Sequence, residues 1–447
     1  MARARSNSVL RTTVLFLLAN SLFSATFGTV VPLVGGATDI VLDAARNRLY
    51  LVGVPDTLQI YSIPERRFLA SIRTDALALS LAMTRDGRFL YIACHNSSSL
   101  NVVDLNTLQI VRRISLPARP EGLAIGNDNR VLISTIGTGA NNAQNILLLY
   151  DPSAQDSGQS ISAIPVTPPP PTPPSLPAPS GRTFQANRSQ MLASNDGSFI
   201  VGVNLPNATT RAVFVYEVAS NTVLRSRSLT GASSVLTIAP DNSRFMAGLT
   251  LFDLQSLEVM AQQNLANAPY PIPSNTNFNT QVNQGGSVFT NDNRTIYGAF
   301  NVAPVQNPPA RANIAQLMYS DPDNLLIRGA LQTPENLAGK MVISPDNGTL
   351  YALSESGFVI FPLSTLNTSV VLTPERTAVL LANDQCGVVA NQRTARVMLR
   401  NEGRGNLGPV TTQLLDATNN PSGLGGVGGI GGGIPGFPGG GVIQIPG

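Results

Sequence analysis

The 447-residue chain has no tryptophan, one histidine and two cysteines, and among its 29 basic residues a single lysine, Lys340. A lone His95 and two distant cysteines, Cys94 and Cys386, exclude a metal site built from a His/Cys cluster. The haem-attachment pattern Cys-x-x-Cys-His is also missing, so any electron carrier would belong to a partner. Charged residues make up only 12% of the chain, and the densest basic groups are the pairs Arg66-Arg67 and Arg112-Arg113. Nucleic-acid binding rests on clustered cations that neutralise phosphates, and no such cluster exists here. The arginine-for-lysine preference reads as a compositional bias, not as a binding device. What the chain does have is a 43% hydrophobic share with 39 glycines and 33 prolines. That share excludes disorder of the whole chain, because enough apolar surface is available to offset the ordering entropy.

The first residues read as an address. Arg3, Arg5 and Arg11 precede an apolar run over 14–23, and small residues follow at 24–28. This is the pattern of a secretory signal peptide, here residues 1–28, with an uncleaved anchor as the alternative. A spanning helix needs about 20 apolar residues, more than this run supplies, and no transmembrane span is expected after cleavage. Removing the leader takes away three arginines, which leaves 26 basic residues against 26 acidic ones. The expected mature chain is neutral and exported to the periplasm, the cell surface or the exterior.

A repeat then runs through most of the sequence. An apolar strand, an Asp/Asn/Gly turn and an aromatic-aliphatic strand recur seven times, with turns at Asp43–Asn47, Asp86-Gly87, Asp128-Asn129, Asp196-Gly197, Asp241-Asn242, Asp292-Asn293 and Asp346-Asn347. Asp-Gly and Asp-Asn tolerate the positive φ that a tight turn between antiparallel strands requires. A second pair of short strands follows each hairpin, clearest over 100–111, where Asn106-Thr107 lies at the turn. Four strands in roughly 40–50 residues make one propeller blade. The spacing predicts an all-β chain whose residues 29–366 form a seven-bladed β-propeller. Residues 29–34 are the candidate strand that closes the ring against the last blade. The proline-rich stretch 152–182 is predicted as a loop inserted in blade three, because proline cannot donate to a sheet ladder.

Tyr91-Ile-Ala-Cys-His-Asn96, followed by Leu100-Asn-Val-Val-Asp104-Leu-Asn-Thr107, resembles the YVTN-type bacterial β-propeller repeat, and Pro120-Glu-Gly-Leu-Ala-Ile125 is similar to the entry of its next blade. The resemblance covers about three quarters of the chain and is strongest over 37–135. It implies a propeller, and it implies kinship with surface-layer-like proteins, lactonase-like enzymes and the propeller domains of redox enzymes. The absence of tryptophan and of a Gly-His signature argues against the WD-repeat version.

Residues 367–421 lack the turn motif and read as a short β-rich piece, part of an immunoglobulin-like sandwich, with strands at 378–382 and 395–400. Residues 422–447 are glycine-rich and low in complexity, and they read as a disordered tail.

Ligands of propellers gather at the central channel. Counting back from each turn places Asp39, Ser80, Glu121, Arg188, Gln190, Ser234, Gln284 and Lys340 near it. Asp39, Glu121, Arg188 and Lys340 are the candidate constellation. A lactonase-type hydrolase would use a carboxylate or a His as acid or base and an Arg for the oxyanion. Calcium would use several carboxylate and carbonyl oxygens. The alternative is that these charges merely solvate the channel mouth. His95 and Cys94 are adjacent, and neighbours on a strand point to opposite faces, so they are not expected to act together. A Cys94–Cys386 disulfide is one arrangement open to an exported chain. The expected function is a binding or structural scaffold for an unidentified protein or small-molecule ligand, without catalysis. A lactone or ester hydrolase and a subunit of a periplasmic redox complex are the rivals.

Overall fold

The computed structural model describes residues 26–53, 56–136, 147–155, 160–164, 190–204, 210–230, 235–263, 284–301, 315–368, 372–374, 399–401, 410–412 and 443–445. Seven antiparallel sheets succeed one another along the chain and form a seven-bladed propeller. Their innermost strands are Ala37–Asp43, Ala78–Met83, Arg119–Ile125, Gln190–Ala193, Leu236–Ile238, Gln284–Phe289 and Leu337–Ile343. The first six blades each run outward through their own strands. The seventh takes its outermost strand from the other end of the propeller. Thr29–Pro32 pairs antiparallel with Gly357–Phe361, Thr29 opposite Ile360 and Pro32 opposite Gly357. Phe27 adds a stacked ring contact on Phe361, 5.8 Å between centroids. The predicted closing strand is the one observed.

The seven turns of the repeat join the first and second strand of each blade. Their left-handed residues are Asn47, Gly87, Asn129, Gly197, Asn242, Asn293 and Asn347, with φ between 51° and 72°. Every blade therefore places Asn or Gly where a side chain with a bulky Cβ would be strained. Several turns also latch their neighbours. The backbone N–H of Asn195 donates to Asn242 Oδ1 at 2.7 Å, and the backbone N–H of Asn291 donates to Asn347 Oδ1 at 2.8 Å.

A second turn signature was not read from the sequence. In blades two, five and six the connection to the outermost strand runs Asp104–Leu108, Asp253–Leu257 and Asp321–Leu325. The aspartate oxygen caps two backbone N–H groups of each turn. The left-handed residue is the leucine, at φ 56°, 60° and 59°, and not Asn106 or Thr107. Leucine tolerates this conformation because its side chain is drawn into the core, where Leu257 and Leu325 are buried.

The apolar residues segregate into seven clusters, and each lies between two consecutive blades, the last between blades seven and one. No blade has a core of its own, so burial is complete only when the ring is closed. At the closure Phe358 of blade seven meets Tyr61 of blade one edge-on at 5.1 Å.

Blade three ends on Ile161–Ile164, which pairs with Leu147–Tyr150 and lies inside the stretch predicted as a loop. These residues precede the proline run, so their N–H groups can join the ladder. Residues 165–189 lie outside the described residues. Beyond the propeller and a 3-10 turn at Leu363–Thr368, the described residues form two short pairs. Leu372–Pro374 pairs with Leu399–Asn401, and Val410–Thr412 with Ile443–Ile445. The predicted strand at 378–382, and the residues that would complete a sandwich, fall outside the described residues. So do residues 1–25 of the leader and most of the glycine-rich tail. Among the described residues no helix is long and apolar enough to cross a membrane.

Candidate functional site at the channel

The innermost strands of blades one, two, three, six and seven each carry a register shift near their start. Such bulges re-aim side chains. At this end of the channel Asp39, Ser80, Glu121, Gln190, Gly339 and Lys340 come together around a cavity of about 90 Å³. The structure thus gathers three of the four candidate charges, whereas Arg188 and Ser234 lie outside the described residues. Gln284 points elsewhere and donates through Nε2 to the Gly248 carbonyl at 2.8 Å.

The arrangement differs from a set of charges solvating a mouth. Asp39 is only 5% exposed, and Lys340 Nζ donates to its Oδ1 at 2.6 Å. The same Oδ1 accepts the Ile40 N–H at 2.7 Å, while Oδ2 accepts the Leu81 N–H at 2.7 Å and the Ser80 hydroxyl at 3.1 Å. Ser80 Oγ in turn accepts the Leu123 N–H of blade three at 3.2 Å. One chain of hydrogen bonds therefore runs through blades seven, one, two and three. Across the channel Gln190 reaches toward blade seven. A Cβ on Gly339, where φ is 115°, would stand 3.4 Å from the Gln190 Nε2. With all four bonding directions of Asp39 taken and an ammonium beside it, this donor set does not fit a calcium ion.

Glu121 sits at the bulge of blade three and turns toward His95. His95 follows strand Phe89–Cys94 in a turn. Its Nδ1 lies 2.9 Å from Glu121 Oε1 and 3.2 Å from the Pro120 carbonyl, so Nδ1 carries the proton it donates. Sequence reasoning missed this pairing, because the two residues are joined only through the blade interface. The neighbouring Cys94 points the other way, into the core between blades one and two. Burial pushes its thiol up to about 12, which leaves it inert. Cys94 is unbridged, and Cys386 lies outside the described residues.

The Glu121 hydrogen bond, opposed by desolvation and by Arg119, raises the His95 pKa above its usual 6.5. The protonated ring is then favoured by the folded state. Its contribution is complete below pH 6.5 and is lost as pH climbs through the raised value. We expect His95→Gln to be less stable than the parent at about pH 5.5, with the gap narrowing by about pH 9, as read by urea midpoints. A gap independent of pH would show that His95 acts by packing alone.

No protein-family model and no curated protein matches the chain. Among solved structures, Kuenenia stuttgartiensis hydrazine synthase is similar over 75% of this chain and 98% of that one, at 16% identity and a TM-score of 0.54. The β-propeller domain of Cps50 (Swd1) from Myceliophteria thermophila matches over 76% and 99%, at 13% identity and 0.56. U3-55K matches over 76% and 99%, at 11% identity and 0.52. At these identities the likeness defines a fold, the β-propeller scaffold, and nothing finer.

Proposed function

We propose that the chain is an exported, non-catalytic propeller that acts as a scaffold and presents one of its faces to a protein partner. One observation carries the reading: the channel charges are spent on one another. Asp39 is saturated by four donors, and the cavity beside it, about 90 Å³, is well below the roughly 300–1,000 Å³ of ordinary ligand pockets. Kinship with YVTN-type propellers belongs to the same proposal and rests on the segments at 91–107 and 120–125.

The hydrolase alternative draws on the His95–Glu121 pair, whose carboxylate borders that cavity. A panel of lactones and esters separates the two readings. We expect no turnover from the full chain, together with a protein that co-purifies at fixed stoichiometry. Turnover that disappears in Glu121→Gln would sink the scaffold reading.

Export is supported by the leader pattern, and the Phe27–Phe361 stack narrows where cleavage leaves the closing strand intact. The Phe27 N–H also donates to the Gln332 carbonyl at 2.7 Å. Cleavage after Ala25 keeps both contacts, whereas cleavage after Gly28 removes them. N-terminal sequencing of exported protein is expected to begin at Thr26; a start at Met1 would reject cleavage.

A further inference from the structure

The outermost strand of blade four, Thr222–Thr230, is nine residues long, against four for the outermost strands of blades three, five and seven. It ends its sheet, so among the described residues no strand lies beside its outer backbone edge. Proteins blunt such edges by keeping them short or by charging them. Here the strand is long, and its only charged residues are Arg225 and Arg227.

Both arginines are held in place. They pair opposite Val215 and Val213, whose side chains belong to the apolar cluster between blades four and five. Cross-strand partners share a face, so both side chains are directed toward blade five. There Arg225 Nε donates to the Gln255 carbonyl at 3.1 Å, and Arg227 Nη1 donates to the Leu257 carbonyl at 3.4 Å. These acceptors are neutral. Arg67, Arg113 and Arg328, on the outer strands of blades one, two and six, each meet a carboxylate, of Glu65, Asp75 and Asp321 respectively. Among the described residues Arg225 and Arg227 form no ion pair, and each guanidinium keeps N–H donors to spare.

Apolar surface adjoins the pair. The register shift between Arg225 and Val223 leaves Leu224 as the extra residue of a bulge, where it stands exposed. Just beyond Leu257, at the start of blade five's outer strand, Val259 and Met260 are exposed as well. An open strand edge, two cations without counter-charge and exposed apolar side chains thus lie along the junction of blades four and five.

We propose that this junction is the surface the scaffold offers its protein partner, and that the partner docks an extended acidic segment there as a fifth strand of blade four. The proposal rests on the scaffold reading and names its surface and the chemistry of its partner. Alternate side chains of an extended strand recur at about 6.6 Å, so carboxylates at every second position match the spacing of Arg225 and Arg227. Guanidinium groups bind carboxylates through paired N–H donors, while the strand edge supplies main-chain hydrogen bonds. Intervening apolar residues of the segment match the exposed Leu224. An anionic polysaccharide would satisfy the cations but leave the backbone edge and the apolar side chains unused.

The test titrates the full chain with a dye-labelled peptide of alternating valine and glutamate, read by fluorescence anisotropy. Saturable binding is expected, roughly fivefold weaker when Arg225→Gln and Arg227→Gln are combined, the scale of two exposed ion pairs. Both arginines are exposed, so the double variant should keep the parent's urea midpoint. A valine–lysine peptide is expected not to bind, and neither is a valine–glutamate peptide N-methylated throughout, which cannot donate to a ladder. Hydrogen exchange of the parent chain gives a second readout: the peptide should slow exchange within residues 222–227 and leave the outer strands of the other blades unchanged. No saturable binding, equal affinity in the double variant, or protection elsewhere than 222–227 would overturn the proposal. So would a heparin fragment that displaces the peptide while the N-methylated peptide binds as well as its parent, since the surface would then read charge alone. A partner that co-purifies equally with the double variant would overturn this surface and leave the scaffold reading standing, whereas turnover in the lactone and ester panel would remove both.

Discussion

A chain that begins at Leu33, without the closing strand, is expected to lose on the order of 5 kcal/mol of stability and to aggregate. The loss comprises the ladder between Thr29–Pro32 and Gly357–Phe361, the partial burial of Val30 and Val31, and the Phe27–Phe361 stack. It also uncovers Gly357–Phe361, an apolar strand that then presents an unpaired edge. Because every apolar cluster is shared between two blades, opening the ring weakens the contact between blades seven and one directly. Urea denaturation should show a lower midpoint and a shallower transition. A peptide spanning residues 26–34, added in excess, is expected to restore part of the midpoint by strand addition. A truncated chain as stable and cooperative as the parent would show that the ring closes without this strand.

The second large effect is expected at Asp39. Replacing it by alanine strands the Lys340 ammonium and the Ile40 and Leu81 N–H groups in the channel wall, and removing one partner of a buried pair costs about 3–5 kcal/mol. Lys340→Met alone leaves a buried carboxylate and should also destabilise. Asp39→Asn with Lys340→Met removes both charges together, and it should cost less than the two single changes added. Urea midpoints of the parent, Asp39→Asn, Lys340→Met and the double variant form a double-mutant cycle that measures this coupling. Strict additivity would mean that the pair contributes nothing to the ring.

Much of this architecture was legible along the chain, because its determinants are local. Each Asp-Gly or Asp-Asn dipeptide, and Asn47 after its longer approach, marks a backbone conformation that those residues tolerate, and all seven adopt it. The closing strand was legible as one apolar segment left over at the start of a count of seven. The leucine turns of blades two, five and six were not. Left-handed Leu257 and Leu325 are acceptable only because a core receives their side chains, and that core exists only in the folded ring.

The site divides in the same way. Counting from the turns placed Asp39, Ser80, Glu121, Gln190 and Lys340 near the channel, and all five border one cavity. Their bonding could not be counted. His95 and Glu121 meet across a blade interface, and Lys340 meets Asp39 from 301 residues away. By itself the sequence determined the blade, its turns and the number of copies, since these follow from backbone preferences of neighbouring residues. The tertiary structure decided which charges neutralise each other and that Glu121 turns to His95. Those outcomes depend on how closure of the ring, and the bulges that open its innermost strands, aim side chains from opposite ends of the chain.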